Sequence, residues 1–146
     1  MAVGATWVFD VDGCIIDSLT GSSLRPGVTA VLEHLRASAC TILLWSAGGA
    51  GYARRRADEQ QVGEFFDAFH DKDRRDENGR YETTPFLASH DDVVFVDDRP
   101  EDVPLEAEVV AVRPYLFDNP HDCGLAPVAR RAGLVPVEAG FHPGGF

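Results

Sequence analysis

The sequence predicts an α/β protein in which a parallel sheet is sandwiched between helices. Five short, mostly apolar runs occur along the chain, and their apolar residues stand at consecutive positions, which is typical of strands covered on both faces. Helical patterns separate these runs, and strands that alternate with helices form βαβ units and doubly wound sheets. The 146 residues are enough for one domain with one core. We therefore expect a three-layer αβα sandwich.

The individual elements follow from the apolar pattern. The clearest helix is predicted over residues 27–37, where Val28, Val31, Leu32 and Leu35 form an apolar stripe at helical spacing and Pro26 stands at the start. The predicted strands are 5–9, 41–45, 65–69, 93–96 and 108–112, and further helices are predicted at 52–61, 84–89 and 126–132. We expect residues 1–135 to form the domain and the Gly- and Pro-rich residues 136–146 to form a tail.

Composition excludes several classes of protein. The formal net charge of −11 argues against nucleic acid or an anionic membrane surface as a partner. No apolar run approaches the length of about 20 residues that crosses a bilayer. The three cysteines are far apart and lack the spacing of a zinc or redox site, so the expected location is the cytoplasm.

Polar residues follow the ends of four predicted strands. In an open parallel sheet, ligands bind beyond the carboxyl ends of the strands, so these side chains are expected to share one edge. The residues are Asp10, Asp12, Ser46, Lys72, Asp97 and Asp98, and Lys72 is the only lysine of the chain. Taken singly, an Asp-Gly pair can also be an ordinary turn, and a serine or lysine can be an ordinary surface residue.

The chemistry of this set favours phosphoryl transfer. Carboxylates within a few ångströms of each other repel by about 4 kcal/mol per pair at an effective dielectric of 20, so a cation must neutralise them. Mg²⁺ binds one or two carboxylates together with waters and phosphate oxygens. Phosphoryl transfer also uses a carboxylate nucleophile, a second carboxyl group as acid and base, and cations that hold the phosphoryl oxygens. This set of residues can supply all three.

The order of these residues resembles the haloacid dehalogenase superfamily. The run FDVDGCIIDS at residues 9–18 is similar to its first motif, Asp-x-Asp-Gly after a strand, and LRPGV at 24–28 resembles the stretch that follows. Ser46 matches the second motif, Lys72 the third, and residues 93–98 the acidic fourth. The resemblance covers roughly residues 5–112 and implies a Rossmann-like fold.

The resemblance also implies roles for the residues. Asp10 would attack phosphorus and form an aspartyl-phosphate, and Asp12 would act as general acid and then as general base. Ser46, the N–H group of Ala47 and Lys72 would bind the phosphoryl oxygens.

The implied cofactor is Mg²⁺. Its ligands would be Asp10, the main-chain oxygen of Asp12, and Asp98, with Asp97 beside them through hydrogen bonds or water. The carboxylate of Asp12 marks the phosphatase branch, because the dehalogenases lack it. Cys14 departs from the family, which usually has threonine there.

The spacing between motifs leaves no room for the cap domains of this superfamily. Only 33 residues separate Asp12 from Ser46, and 24 separate Lys72 from Asp97. The site should be open unless the 71–82 loop, the tail or a second subunit of a homo-oligomer covers it.

The leading hypothesis is a Mg²⁺-dependent phosphoric monoester hydrolase that acts on a small phosphorylated metabolite, such as a nucleotide or sugar phosphate. The alternatives are a phosphoprotein or nucleic-acid end as substrate, and an idle binding module. A phosphorelay receiver is excluded because its acceptor Asp follows a middle strand and its Lys comes last. Three adjacent arginines at 54–56 are typical of a solvated helix face, with substrate contact as the alternative.

Overall fold

A five-stranded parallel sheet forms the centre of the protein. The computed structural model describes residues 4–83, 87–88 and 90–134. The strands are β1 (Thr6–Asp10), β2 (Thr41–Ser46), β3 (Ala68–Asp71), β4 (Val93–Asp97) and β5 (Glu108–Ala111), in the spatial order β3-β2-β1-β4-β5. Within the sheet, Phe9 of β1 is in register with Leu44 of β2 and with Val96 of β4. The α/β Rossmann-like fold expected from the sequence is confirmed.

Three α-helices of the described part of the chain pack on one face of the sheet. They are α1 (Val28–Ala37), α2 (Ala50–Glu59) and α3 (Ala126–Ala132). The apolar stripe predicted for α1 is buried, and it shares one core with inward-facing strand residues such as Trp7, Phe9 and Leu44. Because successive strand side chains alternate between faces, Val8, Leu43 and Phe95 form a second cluster on the opposite face.

The opposite face of the sheet is covered by the second hydrophobic cluster. Its cluster includes Trp45, Val103 and the partly buried Tyr81 and Leu87, and the short 3₁₀ helix Pro100–Asp102 lies after β4. The predicted helix 84–89 falls mostly outside the described residues, as does the predicted tail 136–146. The described residues that cover this face therefore include Tyr81, Leu87 and Val103.

The third strand begins later than the sequence predicts. Residues 65–69 were expected to be extended, but Gly63–Phe65 is a 3₁₀ helix and β3 starts at Ala68. Phe65 and Phe66 reach the core from this turn, so their apolar character reflects burial without strand pairing. The first residue to bond across to β2 is Asp67, whose N–H donates to the Ile42 carbonyl over 2.7 Å.

Among the described residues, no helix is long and apolar enough to cross a membrane.

Candidate active site

The site lies where the connections of the sheet change direction. From β1 the chain passes to β2 and β3 on one side, and it then crosses to β4 and β5 on the other. Such a switch leaves a crevice beyond the carboxyl ends of the central strands. Asp10 ends β1 and Asp97 ends β4, so two carboxylates meet at this crevice.

Lys72 links these two carboxylates. It follows β3, and its Nζ atom lies 3.1 Å from Asp10 Oδ1 and 3.0 Å from Asp97 Oδ2. The ammonium group also lies 4.8 Å from the ring of Trp45 and 5.3 Å from the ring of Tyr81. Lys72 and both carboxylates are buried, so these ion pairs are shielded from solvent.

Asp98 completes a group of three carboxylates. One oxygen from each of Asp10, Asp97 and Asp98 lies within 4.8 Å of the others. The Oδ1 atom of Asp98 is buried and has no hydrogen-bond partner among the described residues. Gly13 makes room for this side chain, because a Cβ atom at Gly13 would lie 2.6 Å from Asp98 Oδ2. These are oxygen ligands of the kind that Mg²⁺ prefers.

The pKa values reflect this crowding. Burial, and then the charge of Asp97, raise the pKa of Asp10 well above its usual range, although Lys72 acts in the opposite direction. Burial raises the pKa of Asp97 to about 6, against the opposing effect of Lys72. Burial alone would lower the pKa of Lys72, but the charges of Asp10 and Asp97 outweigh burial and raise it. Lys72 therefore stays charged, and a further cation beside the carboxylates would favour their ionised form.

The Asp12 carboxylate is held by a residue that the sequence reasoning did not single out. The Tyr52 hydroxyl, in the first turn of α2, donates a hydrogen bond of 2.6 Å to Asp12 Oδ1. Sequence alone gives only a weak signal for this contact, because it depends on how the turn after β2 orients α2.

The turn after β2 shapes the other wall of the site. Ser46 is buried, and its Oγ atom accepts a hydrogen bond of 3.0 Å from the Gly48 N–H. Asp71 Oδ1 accepts the Ala50 N–H over 2.7 Å, so this carboxylate binds the beginning of α2. Ala47 lines the same cleft as Asp10.

All of the side chains expected at the strand ends line or border one cleft of about 190 Å³. Four more residues that the sequence reasoning did not identify also line it, namely Arg75, Tyr81, Arg99 and Asp102. Arg75 and Tyr81 face each other across an antiparallel bridge within the 71–82 loop. The guanidinium group of Arg75 lies 4.2 Å from the ring of Tyr81. This loop therefore forms one wall of the cleft.

Cys14 lies beneath the first motif. Its side chain is buried, and Sγ lies 3.6 Å from the Val96 carbonyl oxygen, to which it donates. Burial and the nearby charge of Asp10 raise the pKa of this thiol well above its usual value. The thiol is therefore protonated, and it can serve as a hydrogen-bond donor as a threonine hydroxyl would.

Comparison with known families agrees with this geometry. The sequence pattern of the family described as NLI interacting factor-like phosphatase matches residues 6–132. The chain belongs to this family. It is one of the haloacid dehalogenase-like phosphatase families, so the superfamily and the phosphatase class inferred from the motifs are confirmed.

A solved structure shares the fold of this chain. The NMR structure of the core domain of a "putative phosphoglycolate phosphatase" from Streptococcus pneumoniae TIGR4 superposes with a TM-score of 0.58 and 15% identity. The match covers 90% of this chain and 97% of that chain. No curated protein sequence matches the chain.

Proposed function

We propose that this phosphatase is a Mg²⁺-dependent phosphoric monoester hydrolase that works through an aspartyl-phosphate at Asp10. The observation that carries the proposal is the meeting of Asp10, Asp97 and Asp98 with Lys72 at the carboxyl ends of adjacent strands. A phosphatase needs a nucleophile beside positive charge, and this crevice provides both.

The donor set fits a magnesium ion. The three carboxylates lie close together, and Asp98 Oδ1 is buried without a partner among the described residues. We propose Asp10, Asp98 and the main-chain oxygen of Asp12 as ligands. Asp97 would support them, because its Oδ1 accepts the Arg99 N–H over 2.8 Å while its Oδ2 faces Lys72. When bound, Mg²⁺ would polarise the phosphoryl group and neutralise its charge.

Each side chain of the site then has its own role in the reaction. Asp10 attacks phosphorus, and the ester oxygen leaves with a proton from Asp12. Asp12 next takes a proton from water, whose oxygen attacks the aspartyl-phosphate and releases phosphate. Lys72 holds Asp10 in place and, with Ser46 and the Ala47 N–H, binds the phosphoryl oxygens.

The substrate is proposed to be a small phosphorylated metabolite, such as a nucleotide or sugar phosphate. A second candidate is a phosphorylated protein side chain. It is favoured by the size of the cleft, because about 190 Å³ holds a phosphoryl group and its nearest atoms while the rest of the substrate stays outside.

Phosphate release tests the mechanism. The purified chain is incubated with an aryl phosphate, a panel of nucleotide and sugar phosphates and a set of phosphopeptides, each with Mg²⁺ and with a chelator. Asp10→Asn is the inactive variant, and Asp118→Asn, at an exposed position, is its matched control. We expect release that requires Mg²⁺, persists in the control and is lost in Asp10→Asn.

The ranking of substrates distinguishes the two candidates. Faster release from metabolites supports the first, and faster release from phosphopeptides supports the second. Release that is unaffected by the chelator, or that survives in Asp10→Asn, would overturn the proposed mechanism.

A further inference from the structure

We propose that Tyr52 is a positioning residue for the acid–base carboxylate. Its hydroxyl fixes Oδ1 of Asp12, so that Oδ2 is the oxygen that transfers the proton to the leaving group. This inference rests on the proposed role of Asp12 as general acid.

The hydrogen bond itself is short. The Tyr52 oxygen lies 2.6 Å from Asp12 Oδ1, within the range of about 2.5–2.7 Å that is typical of a hydroxyl donating to a carboxylate. A phenol is protonated at neutral pH. The phenol therefore keeps its proton and acts as a donor.

The Tyr52 ring is held in place by its surroundings. A Cβ atom at Gly48 would lie 2.8 Å from Cδ2 of the ring, so the ring lies directly against the Gly48 backbone. The guanidinium groups of Arg55 and Arg56 lie 5.5 Å and 5.2 Å from the ring centroid. Arg56 also lies against Gly21, in the loop that follows the first motif, because a Cβ atom there would approach its Cζ to 3.1 Å.

Two of the three adjacent arginines at 54–56 therefore contact the Tyr52 ring. The sequence predicted a solvated helix face, with contact with substrate as the alternative, and Arg54 and Arg55 are indeed exposed. Arg55 and Arg56 also lie over the Tyr52 ring, and Arg54 lies 4.7 Å from the ring of Phe69. A ring packed in this way can fix the direction of its hydroxyl group.

The consequence for catalysis is geometric. Proton transfer requires the acid to lie within about 2.6–3.2 Å of the leaving oxygen, and a misplacement of about 1 Å can cost a factor of about 100 in rate. With Oδ1 accepting from Tyr52, the proton of the acid form resides on Oδ2. That proton passes to the ester oxygen as the P–O bond breaks, and Asp12 regains a proton from the attacking water. Tyr52 keeps its own proton throughout.

Leaving-group dependence tests the proposal. The variant Tyr52→Phe keeps the ring and removes only the hydroxyl. The substrates are p-nitrophenyl phosphate, whose leaving group departs readily without a proton, and phenyl phosphate, whose leaving group needs one. We expect kcat/KM of Tyr52→Phe to fall about tenfold further for phenyl phosphate than for p-nitrophenyl phosphate, since general acid catalysis contributes about 10²–10⁴.

Three further variants make the result decisive. Asp12→Asn should show the same selective loss, and more strongly. Tyr115→Phe should keep the wild-type ratio, because within the described residues its hydroxyl accepts the Asn119 N–H, over 3.0 Å, and makes no hydrogen bond to Asp12. Gly48→Ala should push the Tyr52 ring aside and reproduce the selective loss, which keeps the test valid if Tyr52→Phe does not fold.

The outcomes separate the two proposals. If Asp12→Asn is selective but Tyr52→Phe and Gly48→Ala slow both substrates equally, Tyr52 is only structural and the inference is wrong. If Asp12→Asn itself slows both substrates equally, the proposed role of Asp12 fails instead.

Discussion

Replacing Lys72 with methionine should destabilise the metal-free protein by about 3–5 kcal/mol, because it leaves two buried carboxylates without their shared cation. The Lys72 ammonium lies 3.1 Å from Asp10 and 3.0 Å from Asp97, and all three side chains are largely buried. Methionine fills similar space beside the Trp45 and Tyr81 rings, so the loss reports on charge more than on packing.

The magnitude follows from Coulomb's law. At an effective dielectric of 20, each contact at about 3 Å contributes about 5 kcal/mol, or about 10 kcal/mol for both. The substitution also removes the desolvation penalty of the ammonium, which is several kcal/mol. The difference gives the expected loss, and saturating Mg²⁺ should recover part of it by binding the same carboxylates.

Urea unfolding in a chelator, followed by tryptophan fluorescence, measures this loss. Trp45 is buried beside Lys72, so its emission reports on the site. The control is Arg36→Met, which breaks an exposed ion pair of 2.9 Å with Asp67 and should cost less than about 1 kcal/mol. A loss for Lys72→Met no larger than that of the control would refute the reasoning.

Three other predictions follow from the site and its supports. Burial raises the pKa of Asp97 to about 6, so the folded chain binds this proton more tightly than the unfolded chain does. The contribution of Asp97 to metal-free stability should therefore fall by about 3 kcal/mol as pH rises from about 4 to 6. Asp97→Asn should flatten this fall in urea midpoints measured against pH. Gly13→Ala should lower Mg²⁺-dependent activity about tenfold or more, because φ is +76° and the added Cβ would meet Asp98. A magnesium titration of phosphate release would measure this loss. Arg25→Met should cost about 3–5 kcal/mol in urea unfolding, because the fully buried Arg25 guanidinium pairs with Asp122 at 2.7 Å.

The sequence predicted the sheet well because its strands are buried on both faces. In β1, Trp7, Val8 and Phe9 are all buried, and a continuous apolar run is the signature of that environment. The same argument failed at the start of β3. Phe65 and Phe66 are apolar because they reach the core, but they do so from a 3₁₀ turn. Burial is thus readable from sequence, whereas backbone conformation at a strand end is not.

Looking for polar residues after the predicted strands identified the charged residues at the strand ends. It missed the site residues that come from other elements. Asp10 and Asp97 are placed by strands, whose ends can be located from hydrophobicity. Tyr52 reaches Asp12 from a helix, through a turn whose Gly49 has a φ of +102°. Asp102 lies 3.8 Å from Lys72 only because the chain folds back through a 3₁₀ helix. Such contacts depend on tertiary geometry that spacing does not encode.

The charge balance of the cleft is the strongest physical reason for a bound cation. Lys72 lies 3.1, 3.0 and 3.8 Å from carboxylate oxygens of Asp10, Asp97 and Asp102. Asp102 also pairs with Arg75 and Arg99, at 3.7 and 3.6 Å. Asp12 and Asp98 add two more carboxylates, so five carboxylates face three cations among the described residues. Asp98 Oδ1 is buried and has no hydrogen-bond partner among these residues. A phosphate dianion approaching this set would meet net repulsion, on a chain whose formal charge is already −11. A divalent cation at Asp10 and Asp98 would remove that repulsion where the phosphoryl group must bind, so we expect substrate binding and catalysis to depend on the same ion.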